Sequence, residues 1–423
     1  MKYINHQIIV TMYLLLLTFS ANVPAQSRRI LAELPTKENM VVPDQFKETY
    51  HELDSTLQRA IQIYPFRKGD HCPLVAPNLY MAASFNKPAM SDLQRWKDIL
   101  AILDAFKAMK INAIQVQITA PDLVWGDTVS LINFYQHLAR EIHSRNMKLY
   151  IEHFVNIPFD ANLPSRQNGQ KFTGPTNDPH GRQDFLKILE QEVSMIYCKI
   201  KPDYLSLLTE PGLAIIRSLH LSFSSDELAN WVGEIATRLK DSGLSPNTLL
   251  GAGALTYEPE SFVLKFAQQK SLDYIDFHFY SLNIMGADQL TQLSNLIRKI
   301  RENRPELKIT IGEAWLLKHG KDISKTPIQE VFFRDNFSFW SPLDQKFLNL
   351  MMGMAQKENI AVLVPYFSQY FFSYYTFGNR ESGKLPPWPA STKLSWNKAI
   401  EAVYSNQLSD TGKTMSSMLE AVY

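Results

Sequence analysis

The stretch that decides the fold is Tyr204-Leu205-Ser206-Leu207-Leu208-Thr209-Glu210-Pro211. It is a short apolar run that ends in a carboxylate and a proline, which is typical of a buried strand stopped at a loop. A second stretch of the same kind follows later, Leu307-Lys308-Ile309-Thr310-Ile311-Gly312-Glu313-Ala314-Trp315. Each carries one glutamate at its carboxyl end, and we expect Glu210 and Glu313 to face each other across one pocket.

Apolar runs alternate with segments of helical periodicity around these two stretches. The segment 91–110, for example, repeats Leu93, Trp96, Ile99, Leu103 and Phe106 at helical spacing. The predicted helices are 91–110, 129–145, 180–199, 224–241, 259–269, 288–302, 342–357 and 394–404. The predicted strands are 78–85, 111–118, 147–155, 204–209, 248–255, 274–280, 308–312 and 360–365.

Eight strands alternating with eight helices predict an α/β protein with a parallel sheet, closed as a (β/α)8 TIM barrel. An open doubly wound sheet is the alternative, but no glycine-rich phosphate turn follows any early strand. Long loops are predicted after strands three, seven and eight. Loops of this length are unusual unless they have a function. Their aromatic residues either line a sugar-binding cleft or pack the loops.

The amino-terminal residues have the pattern of a secretory signal peptide. Lys2 precedes the apolar segment 8–19, and Val23-Pro24-Ala25 offers small residues for cleavage. We therefore predict a signal peptide at 1–25, an N-terminal extension with a helix at 43–60 within 26–77, and a catalytic barrel at 78–423. The protein would be secreted or periplasmic, without a membrane span after signal removal; an uncleaved anchor is the alternative.

Charge and cysteine content restrict the classes of partner. Basic and acidic residues are interspersed and give a net charge of +1, so no basic stripe suggests a nucleic-acid partner. Cys72 and Cys198 either pair or remain separate buried thiols. Their spacing does not fit a zinc site, and we predict neither a cofactor nor a metal. The sequence leaves the oligomeric state open.

The ends of the predicted strands carry the candidate chemistry, because TIM barrels place function there. Glycoside hydrolysis needs two carboxyl groups flanking one bond, and one of them must keep its proton near neutral pH. Strands four and seven lie roughly opposite each other on an eight-strand barrel. Glu210 and Glu313 are therefore the predicted catalytic pair of a glycoside hydrolase with a carbohydrate substrate, and His278 and Tyr280 on strand six are expected between them.

Strand three ends in Glu152 and His153, and strand alternation sends one of them inward. We expect His153 to line the pocket, with a structural histidine as the alternative. A metal-dependent hydrolase, in which His153, Glu152 and His278 bind the metal, is a further alternative.

The motifs at strands four, six and seven resemble the clan of retaining (β/α)8-barrel glycoside hydrolases. Thr209-Glu210-Pro211 stands where the clan usually has Asn-Glu-Pro, and Ile311-Gly312-Glu313 ends strand seven. The resemblance implies that Glu210 is the acid/base and Glu313 the nucleophile of a double displacement. Strand six, Asp276-Phe277-His278-Phe279-Tyr280, matches the clan's His and Tyr, which implies that Tyr280 contacts the nucleophile.

Two positions depart from the clan's pattern. Thr209 replaces an asparagine whose amide would contact the sugar 2-hydroxyl. Tyr366 and Phe367 stand where strand eight usually brings a tryptophan, so Trp315 or Trp388 would supply the stacking face. The Thr209 departure also supports an alternative function, a carbohydrate-binding barrel without catalysis.

Overall fold

The computed structural model describes residues 41–84, 92–125, 127–155, 178–217, 221–284, 287–320, 327–380, 382–388 and 390–422. Eight parallel strands form one sheet within these residues. They are β1 (Leu74–Val75), β2 (Ala113–Ala120), β3 (Lys148–Val155), β4 (Tyr204–Ser206), β5 (Leu249–Leu255), β6 (Tyr274–Phe279), β7 (Lys308–Ala314) and β8 (Val362–Pro365). The segments Asn283–Ile284 and Ala287–Asp288 form a separate two-stranded hairpin.

The sheet closes into a barrel. Its strands pair in the order β1-β8-β7-β6-β5-β4-β3-β2. The two end strands meet through a bridge between Asn78 and Gln115. The main-chain N–H of Leu79 donates to the Gln115 carbonyl at 2.9 Å, and the N–H of Gln115 donates to the Pro77 carbonyl at 3.2 Å. The predicted (β/α)8 TIM barrel is therefore confirmed.

A helix connects each strand to the next. The helices are α1 (Lys47–Ile63), α2 (Leu93–Ala108), α3 (Thr128–Ser144), α4 (Pro179–Met195), α5 (Ser225–Asp241), α6 (Ser261–Ala267), α7 (Gln289–Asn303), α8 (Ser341–Lys357), α9 (Ala390–Tyr404) and α10 (Asp410–Glu420), with shorter α-helical segments at Asp122–Trp125 and Ile328–Arg334. Side-chain caps define the amino-terminal ends of two of these helices. Ser224 and Glu227 form a capping box before α5, and Asp178 caps α4. None of the helices in the described residues is long and apolar enough to cross a membrane.

The first strand and the carboxyl terminus differ from expectation. We predicted strand one at 78–85, but β1 is Leu74–Val75 and Tyr80–Ala82 forms a 3-10 turn. The first strand therefore lies inside the range that we assigned to the N-terminal extension. We predicted no helix after residue 404. Instead α10 buries Met415, Met418 and Leu419, an i, i+3, i+4 pattern.

The amino-terminal helix lies on the side of the barrel. We predicted it at 43–60, and it runs as α1 after a 3-10 turn. Asp54 in α1 forms an ion pair with Lys346 in α8. Gly353 in α8 permits close approach of the chain just after α1, because an added Cβ would lie 2.1 Å from the Tyr64 carbonyl oxygen. The predicted signal peptide and the stretch 156–177 lie outside the described residues.

The barrel interior is layered. Its lower part is apolar and aromatic and contains Ala76, Ala113, Tyr150, Tyr204, Tyr274, Val362 and Val364. The hydroxyl of Tyr150 donates to Asp276 at 2.8 Å and also lies 2.8 Å from Ser206 Oγ. These bonds join the apolar floor to a polar layer above it.

Candidate active site

The polar layer is built from inward-facing strand positions. Alternate residues of a strand share one face, so Gln115 and Gln117 of β2 project together, as do Asp276 and His278 of β6. Glu152 of β3 completes the set on the strand next to β2. All five side chains are at most 4% exposed. Buried polar groups must be hydrogen-bonded or paired, so this layer is a network.

Glu313 reaches the same layer through a β-bulge at Gly312. Phe277 of β6 pairs with Ile311, but His278 pairs with Glu313, so β7 carries one extra residue here. Simple alternation from the inward-facing Thr310 would send Glu313 outward; the bulge turns it inward. Only glycine fits the extra position, because an added Cβ would lie 2.2 Å from Asp276 Oδ2.

Glu210 follows β4 at a strained turn. Its backbone has φ 49°, in the left-handed region that non-glycine residues rarely adopt. Its carbonyl oxygen accepts hydrogen bonds from the N–H groups of Leu213, at 3.1 Å, and Ala214, at 2.8 Å. The turn therefore starts the next helical segment and directs the Glu210 side chain into the barrel, where the residue is 0% exposed.

His278 lies between the carboxyl groups. Its Nδ1 is 2.6 Å from Glu210 Oε1 and 3.7 Å from Glu313 Oε2. Its Nε2 is 3.5 Å from Glu152 Oε1 and 3.4 Å from Asp276 Oδ2. The structure thus brings both predicted catalytic glutamates to one imidazole.

The electrostatics of the cluster follow from burial and like charge. Burial raises the pKa of Glu152 to about 7, and the charges of Asp276 and Glu210 act in the same direction. Burial, and then the charge of Glu152, hold the pKa of Glu313 well above its usual value. Burial alone would lower the pKa of His278, but the charges of Glu313 and Glu152 outweigh it and raise that pKa well above normal. The site therefore retains protons at neutral pH.

Three buried atoms in the cluster have unused hydrogen-bonding capacity. Among the described residues, Glu210 Oε2, Glu313 Oε2 and His278 Nε2 make no hydrogen bond of good geometry, although His278 Nε2 lies at ion-pair distance from Glu152 and Asp276. Unsatisfied buried polar atoms cost about 1–3 kcal/mol each. Such atoms retain the capacity to bond a ligand that reaches them.

Thr209 and Tyr366 also reach the network. The Thr209 hydroxyl donates to Glu152 Oε1 at 3.1 Å, and the Tyr366 hydroxyl donates to Gln117 Oε1 at 3.1 Å. Thr209 is therefore engaged by a protein carboxyl group.

Tyr280 and Trp315 lie in an aromatic cluster beside the network. The Tyr280 ring packs edge-on against Tyr366, with centroids 6.0 Å apart. Trp315 is 0% exposed and packs against Phe367 and Tyr370. Lys318 Nζ lies 4.7 Å from the centre of its ring. Both predicted binding residues are thus placed as packing residues of the site wall.

His153 is the predicted site residue that the structure does not bring to the cluster. Its Nδ1 lies 3.1 Å from the Leu207 carbonyl oxygen, and its Nε2 lies 3.1 Å from Glu192 Oε2 in α4. Alternation along β3 turns Glu152 inward and His153 outward, so our expectation for this pair is reversed. The alternative metal site at His153, Glu152 and His278 therefore lacks one of its three predicted ligands.

Another trio, Glu152, His278 and Glu313, has ligand atoms within 4.8 Å of one another. Metal ligation requires neutral imidazole and ionised carboxylates. A cation at this trio would therefore have to displace the protons that the raised pKa values of all three groups retain.

Gln115 and Gln117 were not among our predicted site residues, and Glu152 was predicted only as a ligand of the alternative metal site. Gln115 donates to Glu152, and its own carbonyl accepts from Asn78. Gln117 donates to Glu152 and Glu313. The sequence feature that could have revealed the two glutamines is their alternation with apolar residues in the strand Ile114-Gln115-Val116-Gln117-Ile118.

Cys72 and Cys198 are not joined by a disulfide in the described part of the chain. Each is partly buried, and neither belongs to the cluster. Of the two sequence alternatives, the structure has the separate thiols.

Known structures share the barrel fold with this chain. No protein-family model matches the sequence, and no curated protein matches it. An exo-β-1,4-mannosidase from Opitutaceae bacterium strain TAV5 has a TM-score of 0.50 and 12% identity, covering 85% of this chain and 61% of that one. A glycoside hydrolase family 5 mannosidase from Rhizomucor miehei has a TM-score of 0.47 and 13% identity, covering 83% and 95%. A β-mannanase from the blue mussel Mytilus edulis has a TM-score of 0.41 and 13% identity, covering 79% and 95%.

Proposed function

We propose that this protein is a glycoside hydrolase that cleaves β-glycosidic bonds of a polysaccharide or oligosaccharide. The observation that carries the proposal is the meeting of two buried glutamates, from the ends of β4 and β7, at one imidazole. Glycoside hydrolysis requires two carboxyl groups at one place, one that keeps its proton and one that is ionised when it attacks. The mannosidase of similar fold acts on such bonds, as its name says.

The proposed mechanism is a retaining double displacement with Glu210 as acid/base and Glu313 as nucleophile. Glu210 Oε1 and Glu313 Oε2 lie 2.6 Å and 3.7 Å from the same nitrogen of His278. Their separation therefore cannot exceed the sum of these distances. This closeness of two carboxyl oxygens favours the roughly 5 Å separation of retaining enzymes over the roughly 6.5–9.5 Å at which inverting enzymes fit a water.

In the first step, Glu313 attacks the anomeric carbon while Glu210 protonates the departing oxygen. In the second step, Glu210 takes a proton from water, which displaces Glu313 and retains the anomeric configuration. The nearby imidazole of His278 offsets the negative charge of the carboxylates through both steps. We propose a secreted or periplasmic location on the ground of the predicted signal peptide.

The test is hydrolysis of a glycan panel that includes β-mannan, β-galactan and β-xylan, followed by activated aryl β-glycosides. Glu313→Ala should abolish turnover, and NMR should show the β-anomer as the first product of the wild-type protein. Full activity of Glu313→Ala, or an α-anomer as the first product, contradicts the mechanism.

A second candidate function is carbohydrate binding without turnover. The observation that favours it is the hydrogen bond from the Thr209 hydroxyl to Glu152, which engages this side chain within the protein. Calorimetric binding of a glycan that the wild-type protein does not cleave would select this function over hydrolysis.

A further inference from the structure

Gln117 is placed to hold Glu313. It projects from β2 into the barrel and is 4% exposed. Its Nε2 donates to Glu313 Oε1 at 2.5 Å and to Glu152 Oε2 at 3.2 Å. One amide group thus bridges the predicted nucleophile and the neighbouring carboxyl group. An amide can hold an ionised carboxylate without placing a full positive charge on it.

The orientation of this amide is set by Tyr366. An amide can be turned by 180°, which exchanges its N–H₂ and its oxygen. When Glu313 is ionised, as a nucleophile must be, the turned form would place the Gln117 oxygen against a carboxylate oxygen that can only accept hydrogen bonds. The Tyr366 hydroxyl donates to Gln117 Oε1 at 3.1 Å and so favours the form that directs N–H₂ at Glu313. Burial and the charge of Glu313 raise the pKa of Tyr366 well above its usual value, so its hydroxyl remains a donor.

We propose that Gln117 is a positioning residue for Glu313, and that Tyr366 acts on Glu313 through Gln117. The inference rests on the proposed role of Glu313 as nucleophile. A nucleophile must be held close to its attack geometry, and a misplacement of about 1 Å can cost about 100-fold in rate. Glu313 Oε2 makes no hydrogen bond of good geometry among the described residues and lies 3.7 Å from His278 Nδ1, so the amide of Gln117 is the neutral donor that restrains the carboxylate beside Glu152 and His278.

The experiment compares Gln117→Met, Tyr366→Phe and the double variant on the glycoside that the wild-type protein cleaves. Methionine keeps the length of glutamine but cannot donate. We expect Gln117→Met to lower kcat about 100-fold with little change in KM. Tyr366→Phe should lower kcat about 10-fold, because the amide can then turn. The double variant should match Gln117→Met, since residues that act through one another are not additive.

Tyr135→Phe is the matched control. It removes a buried tyrosine hydroxyl that bonds to the Ala82 carbonyl at 2.9 Å, outside the network. Its kcat should equal that of the wild type. A wild-type kcat in Gln117→Met would overturn the proposal. If the decrease in kcat of the double variant is the product of the two single decreases, Tyr366 does not act through Gln117. If Gln117→Met fails to fold, Tyr366→Phe still tests the proposal. A wild-type kcat in Tyr366→Phe would overturn the action of Tyr366 on Glu313.

Infrared titration of Glu313 separates this proposal from the proposed function. The carboxyl signal of Glu313 is assigned by subtracting the spectrum of Glu313→Gln. Loss of a donor to the ionised form should raise the pKa of Glu313 further in both single variants, whether or not any glycan is cleaved. A wild-type protein that cleaves nothing overturns the proposed function, whereas an unchanged Glu313 titration in both variants overturns the positioning role.

Discussion

His278 donates a hydrogen bond to Glu210 over 2.6 Å, and the same ring nitrogen lies 3.7 Å from Glu313. One side chain from β6 therefore joins the carboxyl groups that end β4 and β7. Neither contact is local in sequence. The candidate site depends on this imidazole as much as on the two glutamates.

Replacement of His278 should damage both stability and activity. His278→Gln removes the positive charge among four buried carboxyl groups. Removal of one partner from a buried ion pair typically costs about 3–5 kcal/mol, which urea unfolding would measure. We also expect kcat to fall at least about 100-fold, as for the loss of a positioned proton-handling group. His143→Gln is the control: it removes a partly exposed histidine that pairs with Asp203, and it should retain wild-type kcat.

Glu152→Gln should shift the pH dependence of activity. In the proposed mechanism Glu313 must be ionised, and burial together with the charge of Glu152 raises its pKa. The rate constant kcat/KM should therefore increase as pH rises, with its acidic limb above the usual range for glutamate. Glutamine at 152 removes that charge and can donate to Glu313, so the limb should move to lower pH. A limb that stays in place would show that Glu152 does not control the ionisation of Glu313.

The backbone at Glu210 predicts a difference between two inactive variants. The left-handed φ of 49° at a non-glycine residue costs on the order of 1–3 kcal/mol. Glu210→Gly and Glu210→Ala should both lose turnover, but glycine relieves this strain and alanine does not. We expect the glycine variant to unfold at higher urea concentration than the alanine variant, by about 1 kcal/mol. Equal stability of the two variants would argue against strain at this turn.

Gly312→Ala should disrupt the site without touching either glutamate. The new Cβ would lie 2.2 Å from Asp276 Oδ2, so Asp276 or the bulge must move. Asp276 accepts from Tyr150 and Thr310, and its displacement should reach His278 and Glu313. We expect a loss of about 1–3 kcal/mol in stability, as for overpacking, and a marked decrease in kcat. Gly383→Ala, where an added Cβ meets nothing within 4 Å, should be neutral.

Most of the framework could be predicted from the sequence because it is encoded locally. Helical periodicity and strand breaks gave seven of the eight strands near their observed positions. The first strand was misplaced because Leu74–Val75 is too short to show any period and is recognised only by its pairing with β8. Helix α10 was missed because its apolar pattern of Met415, Met418 and Leu419 is diluted by polar neighbours.

The inward or outward direction of Glu152 and His153 could not be predicted for a different reason. Both faces of a barrel strand are buried, so neither face is marked by polarity. His153 is buried with Glu192 of α4, and Glu152 with Gln115 of β2. These partners are distant in sequence, and only the assembled barrel shows which residue faces the interior.

The sequence by itself determined that two glutamates end the fourth and seventh strands of an eight-stranded barrel, because strand order and strand ends follow from local patterning. The tertiary structure decided that Glu313 faces Glu210. The register of β7 against β6 shifts at Gly312, and that shift reverses the face on which Glu313 projects. Register depends on contacts between strands, here the close approach of Asp276 to Gly312. The sequence of a single strand therefore does not specify its register.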